Sequence, residues 1–259
     1  MRVAISGRFL RIWRRNLLVY SKIWKISFVP PLLEPLFYLF AFGAGLGALV
    51  GALSYRGTEV SYVDFLAPAL ISINIMYNAF FENSYSSFVR MYYQKTYDAM
   101  MSTPLSLEEV ITGEIVWGAT KSVIATAIMT AVVSLFGLLR YPSSLLLLPL
   151  AFVGGLAFGG LAMFFTSLVP SIETFNLPIF LFLTPMFLFS GTFFPLDNLP
   201  GWARALAGAL PLTHLVRLAR SFAYADLYAG SVWSVLYLLA CSAVTFPLAL
   251  VGMRRRLIK

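Results

Sequence analysis

The chain has 259 residues, of which 59% are hydrophobic, 16% aromatic and only 12% charged. This composition excludes an ordinary water-soluble domain and predicts an integral membrane protein. The net charge of +8 does not indicate nucleic-acid binding, because most basic residues lie at the two ends, beside apolar segments, where they would meet anionic lipid head groups. The single cysteine, Cys241, excludes an intrachain disulfide and a cysteine cluster for a metal.

Six segments are long and apolar enough to cross a membrane, since a transmembrane helix needs about 20 mainly apolar residues. They lie near residues 28–53, 63–89, 113–139, 144–168, 173–192 and 231–252. Eleven basic residues stand before the first segment or after the last, and the preference of basic flanks for the inside predicts that both termini are cytoplasmic. Arg204, Arg217 and Arg220 fall outside in this topology, and we assign them to a short extracytoplasmic hairpin.

The N-terminal segment, residues 1–25, has two chemically different helical faces. Its apolar face carries Leu10, Trp13, Leu17, Tyr20 and Trp24, and Arg8, Arg11, Arg15 and Lys22 line another face. This pattern predicts an interfacial helix along the inner leaflet; the alternative is a simple basic topology anchor. The segment does not resemble a cleavable signal peptide, so we expect the first span to remain in the mature protein.

The first span carries a carboxylate close to its cytoplasmic end. Glu34 follows Pro30 and Pro31 by about one turn, and an ionisable group at this depth is costly. An ion pair with Lys22 or Lys25 and a functional role are equally compatible with the sequence. Further along, Gly43, Gly47 and Gly51 recur every four residues, which predicts close packing against another helix.

The second span combines an aromatic stripe with polar neighbours. Tyr77, Phe81, Tyr85 and Phe88 recur at helical spacing, and Asn74, Asn78 and Glu82 run beside them. Because amides and a carboxylate gain nothing from facing lipid, we predict that these seven residues line a substrate pathway, in which the rings contact an amphiphile. The alternative is interhelical packing, with the polar groups bonded to other spans and the rings filling gaps.

The longest inner loop contains a stiff elbow, within a predicted coupling region at residues 90–112. Tyr97–Ser102 can form a short helix that Pro104 ends, and Ser106 with Glu109 predicts a capping box that starts the next helix. Such an elbow suits force transfer from a soluble partner; the alternative is an ordinary capped connection. The candidate coupling residues are Tyr97, Asp98, Ala99, Met100, Met101, Ser102, Thr103 and Pro104.

The outer hairpin, residues 193–222, interrupts the apolar sequence near its C-terminal end. Pro195, Pro200 and Pro211 break its backbone into short pieces. Broken helices of this kind enter a membrane only where protein shields their backbone groups. We therefore predict a re-entrant helical hairpin on the extracytoplasmic side.

Two sets of short motifs resemble one protein family over nearly the whole chain. The first set is Ser190-Gly191, Phe194-Pro195, Leu199-Pro200 and Pro211-Leu212-Thr213, and the second is Phe88, Arg90-Met91, Gln94-Lys95-Thr96, Ala99-Met100 and Gly113-Glu114. The first set resembles the permease subunits of type 2 ATP-binding cassette exporters. The second is similar to the nodulation-type lipo-oligosaccharide exporters within that family, although drug-export permeases share most of the marks.

The resemblance implies a single permease domain over residues 1–259 in a bacterial or archaeal inner membrane. It implies a homodimer, or a close pseudo-dimer, whose N-terminal helices and coupling helices contact a separate ATPase subunit, which binds ATP and Mg²⁺. It also implies that the hairpin closes the outer end of the pathway, with Phe193, Phe194 and Pro195 as the outer gate. The expected cargo is an amphiphile, either a lipid-linked oligosaccharide or a hydrophobic drug-like molecule.

The chain itself carries no phosphate-binding GxxxxGK[ST] motif, so we expect it to bind no cofactor and to take its energy from another subunit. The lone histidine, His214, has no second histidine or cysteine with which to bind a metal, and we expect it to hydrogen-bond within the hairpin. Two alternatives remain. One is a multi-pass lipid-modifying enzyme that uses Glu82, Asp98 or His214, and the other is an ion-coupled carrier.

Overall fold

The computed structural model describes residues 6–226 and 229–258. In this part of the chain, six helices are long and apolar enough to cross a membrane. Numbered in chain order, these spans are Phe9–Gly43, Tyr62–Tyr93, Leu107–Leu135, Ser143–Leu168, Ile172–Phe189 and Gly230–Leu257. The prediction of an all-α membrane protein with six spans is confirmed.

The first span is helical from Phe9, well before the predicted start at residue 28. The helix that contains it comprises α1 (Phe9–Phe40), a π-helical stretch (Ala41–Leu46) and α2 (Gly47–Val50), so it continues seven residues past Gly43. The predicted boundary between an interfacial helix and the span is therefore wrong, since residues 9–25 continue into the span without a break. Residues 1–5 lie outside the described part, and the interfacial placement of the segment stays a prediction.

Three prolines explain why the sequence suggests a helix start where none occurs. Pro30, Pro31 and Pro35 all lie inside α1. Each proline removes one N–H donor and would interrupt a helix in water. In an apolar environment no water competes for the remaining backbone groups, and transmembrane helices tolerate such residues.

A short β-hairpin joins the first two spans. Strands β1 (Ala52–Tyr55) and β2 (Thr58–Ser61) are antiparallel, and Arg56 and Gly57 form the two-residue turn between them. Both turn residues have positive φ, 53° and 79°, as tight hairpin turns require. The helical part of the first span therefore ends at Val50 and not at residue 53.

Only two of the three periodic glycines pack as predicted. A Cβ at Gly43 would lie 3.2 Å from Val63 Cγ2, and one at Gly47 would lie 3.8 Å from the same atom. Their partner is thus the start of the second span. Gly51 instead follows the helix end, has φ +67°, and has no atom within 4 Å of a Cβ placed there. Its role is therefore to allow the backbone to turn between α2 and strand β1.

The second span begins with helix α3 (Tyr62–Phe81), which Ser61 caps by accepting a 3.1 Å hydrogen bond from the amide of Asp64. Two π-helical stretches, Glu82–Ser86 and Val89–Tyr93, complete the span. Lys95, with φ 53°, then turns the chain into helix α4 (Thr96–Met101). The short helix predicted in the elbow is confirmed.

The third span begins earlier than predicted. Helix α5 (Leu107–Leu135) follows the N-cap Ser106, and both hydrogen bonds of the predicted capping box with Glu109 are present. The segment between the second and third spans is therefore residues 94–106, shorter than the predicted coupling region at 90–112. Residues 90–93 and 107–112 of the predicted region belong to the second and third spans.

The rest of the chain alternates between long and broken helices. The fourth span is a 3-10 turn (Ser143–Leu146) followed by α6 (Leu147–Leu168). The fifth span combines a 3-10 turn (Ile172–Phe175), α7 (Asn176–Pro178), a π-helical stretch (Ile179–Leu183) and α8 (Thr184–Phe189). The outer hairpin contains a 3-10 turn (Leu196–Asn198), α9 (Gly201–Gly208) and α10 (Pro211–Tyr224), and α11 (Ala229–Leu257) forms the sixth span.

The second span is the most buried of the six, whereas the first and sixth are the least buried. It packs against the third and fourth spans, which also pack against each other. A Cβ at Gly155 in α6 would lie 2.6 Å from Cα of Ala119 in α5, so these two backbones approach closely, as small residues permit in a membrane. The core therefore surrounds the span on which the polar residues lie.

Candidate functional site

Four oppositely charged side chains meet between the second and third spans. The carboxylate of Glu82 lies 2.8 Å from Arg90 Nη1 and 2.8 Å from Lys121 Nζ, and the other terminal nitrogen of Arg90 lies 2.5 Å from Glu114 Oε2. We call Glu82, Arg90, Glu114 and Lys121 the charge cluster. Its two carboxylates balance its two cations, which is what burial of charge requires.

The cluster is buried on its acidic side. Glu82 is 4% exposed and Glu114 is fully buried, while the side chains of Arg90 and Lys121 are 13% and 29% exposed. Trp117 also donates from Nε1 to Glu82 over 3.1 Å. Each carboxylate therefore has several donors, and removal of any one of the four charged side chains would leave the cluster with an unbalanced buried charge.

The first span joins the same cluster. Asn16 Nδ2 donates to Glu114 Oε1 over 3.0 Å, and the rings of Tyr20 and Trp117 meet edge to face at 5.6 Å. Trp13 Nε1 also donates to Thr120 Oγ1 over 2.9 Å. The N-terminal half of α1 is thus fixed on α5, and the cluster connects three spans.

Helix α4 is anchored beneath the cluster by Tyr97, whose side chain is fully buried. Met100 and Met101 are half-buried and pack against the same core, which also contains Ile12. Burial, followed by the nearby carboxylate of Glu114, raises the pKa of the Tyr97 phenol. A neutral ring therefore connects the elbow to the charged residues above it.

The predicted coupling residues divide into two groups. Tyr97, Met100 and Met101 face the protein, whereas the outward group is exposed. The exposed group is Asp98, Ala99, Ser102, Thr103 and Pro104. The exposed group is therefore the part of the elbow most open to contact, whereas Tyr97 is closed to it.

The N-terminal segment supports the elbow from one side. Arg8 Nη1 donates to the carbonyl of Pro104 over 2.8 Å, and the hydroxyl of Ser6 donates to the carboxylate of Glu109. On another side, Arg254 at the end of α11 pairs with Glu108 at 3.5 Å. Contacts with the N-terminal segment and with α11 therefore fix the position of the elbow.

The aromatic stripe of the second span contacts the fifth span. Tyr77, Phe81 and Tyr85 follow one another at centroid distances of 5.6 Å, and Tyr85 reaches Phe175 at 5.0 Å. Phe88 also packs against Phe175, at 5.6 Å, and is only 1% exposed. Tyr77, Phe81 and Tyr85 keep one accessible side, but the structure places Phe88 in the packed core and not on an open pathway.

The amides of the stripe bond within the helix bundle. Asn74 Nδ2 donates to Glu34 Oε2 over 3.3 Å, and Asn78 Nδ2 donates to the carbonyl and side-chain oxygens of Asn74 over 3.0 and 3.2 Å. Glu34 thus bonds to the second span, and in the described part of the chain its carboxylate pairs with neither Lys22 nor Lys25, which was one of the two alternatives that the sequence leaves open. The alternative of interhelical packing fits Asn74 better than pathway lining does.

A cavity of about 370 Å³ lies between the first three spans, beside the charge cluster. We call it the inner cavity. Of the predicted pathway residues, Glu82 and Tyr85 line it, together with Arg15, Tyr20 and Lys121 from the neighbouring spans. Its wall therefore mixes rings with hydrogen-bonding groups.

At the opposite end, the predicted outer gate is in contact with two spans. The ring of Phe193 lies 5.8 Å from Phe42 in the first span and 5.0 Å from Phe187 in the fifth. We call Phe42, Phe187 and Phe193 the gate rings. Pro195 is buried and Phe194 is half-buried.

His214 has a structural environment within the hairpin. Its Nε2 lies 2.9 Å from the carbonyl of Gly208, its Nδ1 lies 3.1 Å from Ser234 Oγ, and its ring stacks on Tyr237 at 4.0 Å. These contacts fit a neutral imidazole that donates from Nε2 and accepts at Nδ1. The predicted hydrogen-bonding role is confirmed.

The groups named for an enzymatic reading do not converge. Glu82 belongs to the charge cluster, Asp98 is exposed on α4, and His214 lies in α10. Within residues 6–226 and 229–258, no group of three or more His, Cys, Asp or Glu side chains is placed to hold a metal ion.

Arg90, Glu114, Trp117 and Lys121 are the site residues that sequence reasoning misses. A signal for three of them exists, because positions 114, 117 and 121 follow the spacing of one helix face. Arg90 lies eight residues after Glu82, and it reaches back because helical side chains lean toward the N-terminus. The predicted topology places Arg90 in the inner loop and not in the second span, so its proximity to Glu82 is not apparent from the sequence.

Comparison with known proteins identifies the family. The sequence model described as "ABC-2 type transporter" matches residues 7–224. Nodulation protein J of Rhizobium meliloti (strain 1021) is 35% identical over 261 residues, which cover 98% of this chain and 95% of that protein. Nodulation protein J of Rhizobium leguminosarum bv. trifolii is 37% identical over 254 residues, which cover 98% and 95%.

A more distant relative agrees with this assignment. The inner membrane transport permease YadH of Escherichia coli (strain K12) is 26% identical over 214 residues, which cover 79% of this chain and 78% of that protein. The resemblance in the short motifs is therefore confirmed by matches over nearly the full length. The chain belongs to the ABC-2 type transporter family and is a membrane permease of an ABC transporter.

Proposed function

We propose that this permease exports an amphiphile, powered by a separate ATPase subunit that docks on helix α4 and holds ATP and Mg²⁺. Two copies of the chain form the pathway, and both termini face the cytoplasm of a bacterial or archaeal cell. The observation that carries the proposal is the burial of Tyr97, which anchors the exposed elbow in a hydrophobic core that includes Ile12, Phe88 and Ile115 from the first three spans. A displacement of α4 would thereby be transmitted to the first three spans.

The proposed coupling follows from the contacts of the cluster. Arg90 and Glu82 belong to the second span, Glu114 and Lys121 to the third, and Asn16 ties the first span to Glu114. Because these groups are buried and mutually paired, they resist separation and would move as a unit. Closure of the ATPases would shift α4, and the cluster would carry that shift into the spans around the inner cavity.

The lining of the inner cavity supports an amphiphilic cargo with a polar head. Tyr20 and Tyr85 offer ring faces and hydroxyls, and the cations Arg90 and Lys121 are already paired with carboxylates. Arg15 also lines the cavity, and its guanidinium bonds to the neutral side chain of Asn16. The cavity therefore combines hydrogen-bonding groups with a cation, which suits a polar head group that accepts hydrogen bonds. A lipid-linked oligosaccharide and a hydrophobic drug-like molecule both fit this description.

The inner membrane is the location that we propose, as the name of the relative YadH states for that protein. The basic run Arg254, Arg255 and Arg256 at the end of α11 lies on the same side as the elbow, because Arg254 pairs with Glu108. Basic flanks favour the cytoplasm. The elbow would then face the ATPase.

One observation keeps the ion-coupled carrier as a second candidate. Such carriers use paired charges within the membrane, and Glu82 with Arg90 and Lys121 is a pair of that kind. Every charge in the cluster is already matched, however, and the family match favours coupling to ATP. Dependence of transport on ATP, measured in vesicles with and without an ion gradient, separates the two candidates.

The decisive experiment is co-purification of the tagged chain with an ATPase subunit from its native membranes. A stoichiometric ATP-binding subunit, followed by amphiphile-stimulated ATP hydrolysis in reconstituted vesicles, would support the proposal. A99R on the exposed face of α4 should abolish co-purification, whereas N198R in the exposed outer hairpin should preserve it. A chain that purifies alone, even after crosslinking, would overturn the proposal in favour of a carrier or an enzyme.

A further inference from the structure

Arg220 in the outer hairpin is a buried cation with an unusual set of partners. It is 3% exposed, and no carboxylate of the described residues lies within salt-bridge distance of it. Burial lowers the pKa of Arg220 to about 10, against the opposing influence of Tyr55 and Tyr224. The side chain is therefore still a cation at neutral pH, in a place where an unpaired charge is costly.

Backbone carbonyls and ring faces stabilise this cation. Nε donates to the carbonyl of Phe65 over 3.1 Å, and Nη2 donates to the carbonyl of Thr192 over 3.2 Å. The guanidinium carbon lies 3.6 Å from the centroid of the Phe65 ring and 5.5 Å from that of Tyr55. Arginine suits this role, because its planar fork can donate in two directions and stack at the same time.

These contacts hold four separate pieces of the extracytoplasmic side together. Arg220 lies in α10, Phe65 in the first turn of α3, Tyr55 in strand β1, and Thr192 in the turn after the fifth span. The same helix makes a second attachment one turn later. The hydroxyl of Tyr224 donates to the carbonyl of Asp64 over 2.8 Å.

The second attachment has a clear backbone cause. The carbonyl of Asp64 would ordinarily accept from the amide four residues later, but that residue is Pro68, which lies inside α3 and has no N–H. Tyr224 supplies the missing donor. The start of the second span is thus built to receive α10, and Arg220 extends that contact to the turn at Thr192.

The turn at Thr192 leads directly to the gate rings. Gly191 has φ +71°, and a Cβ there would lie 2.8 Å from Leu196 Cγ, so the backbone is tightly folded at this point. Phe193 follows Thr192 and packs between Phe42 and Phe187. The position of the Thr192 carbonyl therefore determines the position of the Phe193 ring.

We propose that Arg220 is a positioning residue for the outer gate, which latches the turn at Thr192 to the second span and holds Phe193 between Phe42 and Phe187 until the pathway opens. The idea that these rings close a pathway rests on the proposed function. A latch made of carbonyl contacts suits repeated opening, because it can be released without separating two buried opposite charges. It also explains why an arginine occupies the extracytoplasmic side against the usual charge preference.

The test measures gate geometry independently of transport. Phe42 and Phe193 are replaced by cysteine in a chain whose Cys241 is replaced by serine, and a short bifunctional thiol reagent is added to membranes without ATP. R220Q should slow crosslinking between the two cysteines roughly tenfold, the factor for loss of one charge-assisted hydrogen bond. R220K, which keeps the charge but can bond to one carbonyl at a time, should give an intermediate rate.

R204Q is the matched control. Arg204 lies in the same hairpin and donates to the carbonyls of Asp197 and Leu199 over 2.8 and 3.3 Å, so it stabilises the hairpin without contacting Thr192. Crosslinking as fast in R220Q and R220K as in R204Q would overturn the latch. If R220Q does not fold, as judged by its elution in detergent, the R220K rate decides alone.

A separate arm tests the proposed function. Y77C, one ring inward of Phe187 at 6.4 Å, is exposed to a membrane-impermeant thiol reagent from outside during ATP turnover. Labelling that rises with turnover would support a pathway along Tyr77, and absence of labelling would count against that pathway. Slowed crosslinking in R220Q supports the latch in either case.

Discussion

The guanidinium of Arg90 and the carboxylate of Glu114 form a 2.5 Å ion pair in which the carboxylate is fully buried. Arg90 lies near the C-terminal end of the second span, and Glu114 lies about two turns into the third. The pair therefore fixes the relative position of the two helices that flank the elbow. Its loss should be felt both in stability and in coupling.

E114Q keeps the size of the side chain but removes its charge. We expect a loss of about 3 to 5 kcal/mol of folding stability, the usual cost of leaving one partner of a buried pair uncompensated. Thermal unfolding in detergent, followed by tryptophan fluorescence, measures the change. E108Q is the matched control, because Glu108 pairs with Arg254 at 3.5 Å near the surface and such pairs contribute about 1 kcal/mol or less. Equal unfolding temperatures for the two variants would contradict a structural role of the cluster.

The buried ring of Tyr97 in α4 should contribute both to folding stability and to the coupling of ATP hydrolysis to export. Y97A removes a large, fully buried aromatic side chain, and we expect a cost of about 3 to 5 kcal/mol together with ATP hydrolysis that no longer drives export. Y93A is the control, since Tyr93 is 60% exposed only four residues away. Measurement of ATP hydrolysis and export in the same vesicles gives the coupling ratio. An unchanged ratio in Y97A would remove the main support for force transfer through this residue.

Tyr85 and Phe88 offer a direct comparison between a cavity wall and the core. Tyr85 lines the inner cavity, whereas Phe88 is buried against Phe175. Y85A should change the order in which a panel of amphiphiles stimulates ATP hydrolysis, and F88A should lower the unfolding temperature without changing that order. A reordered panel in F88A, or an unaltered one in Y85A, would show that the cavity is not the cargo site.

The membrane helices could be predicted from the sequence because about 20 apolar residues suffice to identify a span. Their ends could not, as the first span demonstrates. Pro30 and Pro31 read as a start signal, since in water they would break a helix, and only the apolar environment makes them tolerable inside α1. The capping box at Ser106 and Glu109 is predictable from the sequence, because it depends only on residues that are three positions apart.

The charge cluster was predictable only in part. Glu82 draws attention because a lone carboxylate within a span is costly, but Arg90 of the same span and Lys121 of the third offset that cost. Glu114 and Lys121 share one face of α5 by their spacing. No sequence pattern says that this face meets the second span, so the pairing depends on tertiary packing.

The outer hairpin should respond to pH through His214. Burial lowers the pKa of His214 below its ordinary value of 6.5, the hydrogen bond to the Gly208 carbonyl opposes this, and Arg217 on the same helix lowers it further. Because the unfolded chain binds the proton more readily than the folded one, the stabilising contribution is fully present above pH 6.5. It should be lost as the pH falls from 6.5 through the folded pKa.

H214Q isolates this contribution, since glutamine can still donate to the Gly208 carbonyl but does not titrate. The measurement is the unfolding temperature in detergent at pH 7.5 and at pH 5.5, for the wild type and the variant. We expect a smaller decrease in H214Q than in the wild type, because Ser234 and the stacked ring of Tyr237 lose their neutral partner only in the wild type. A decrease of the same size in both would mean that other groups, and not this imidazole, set the acid sensitivity of the hairpin.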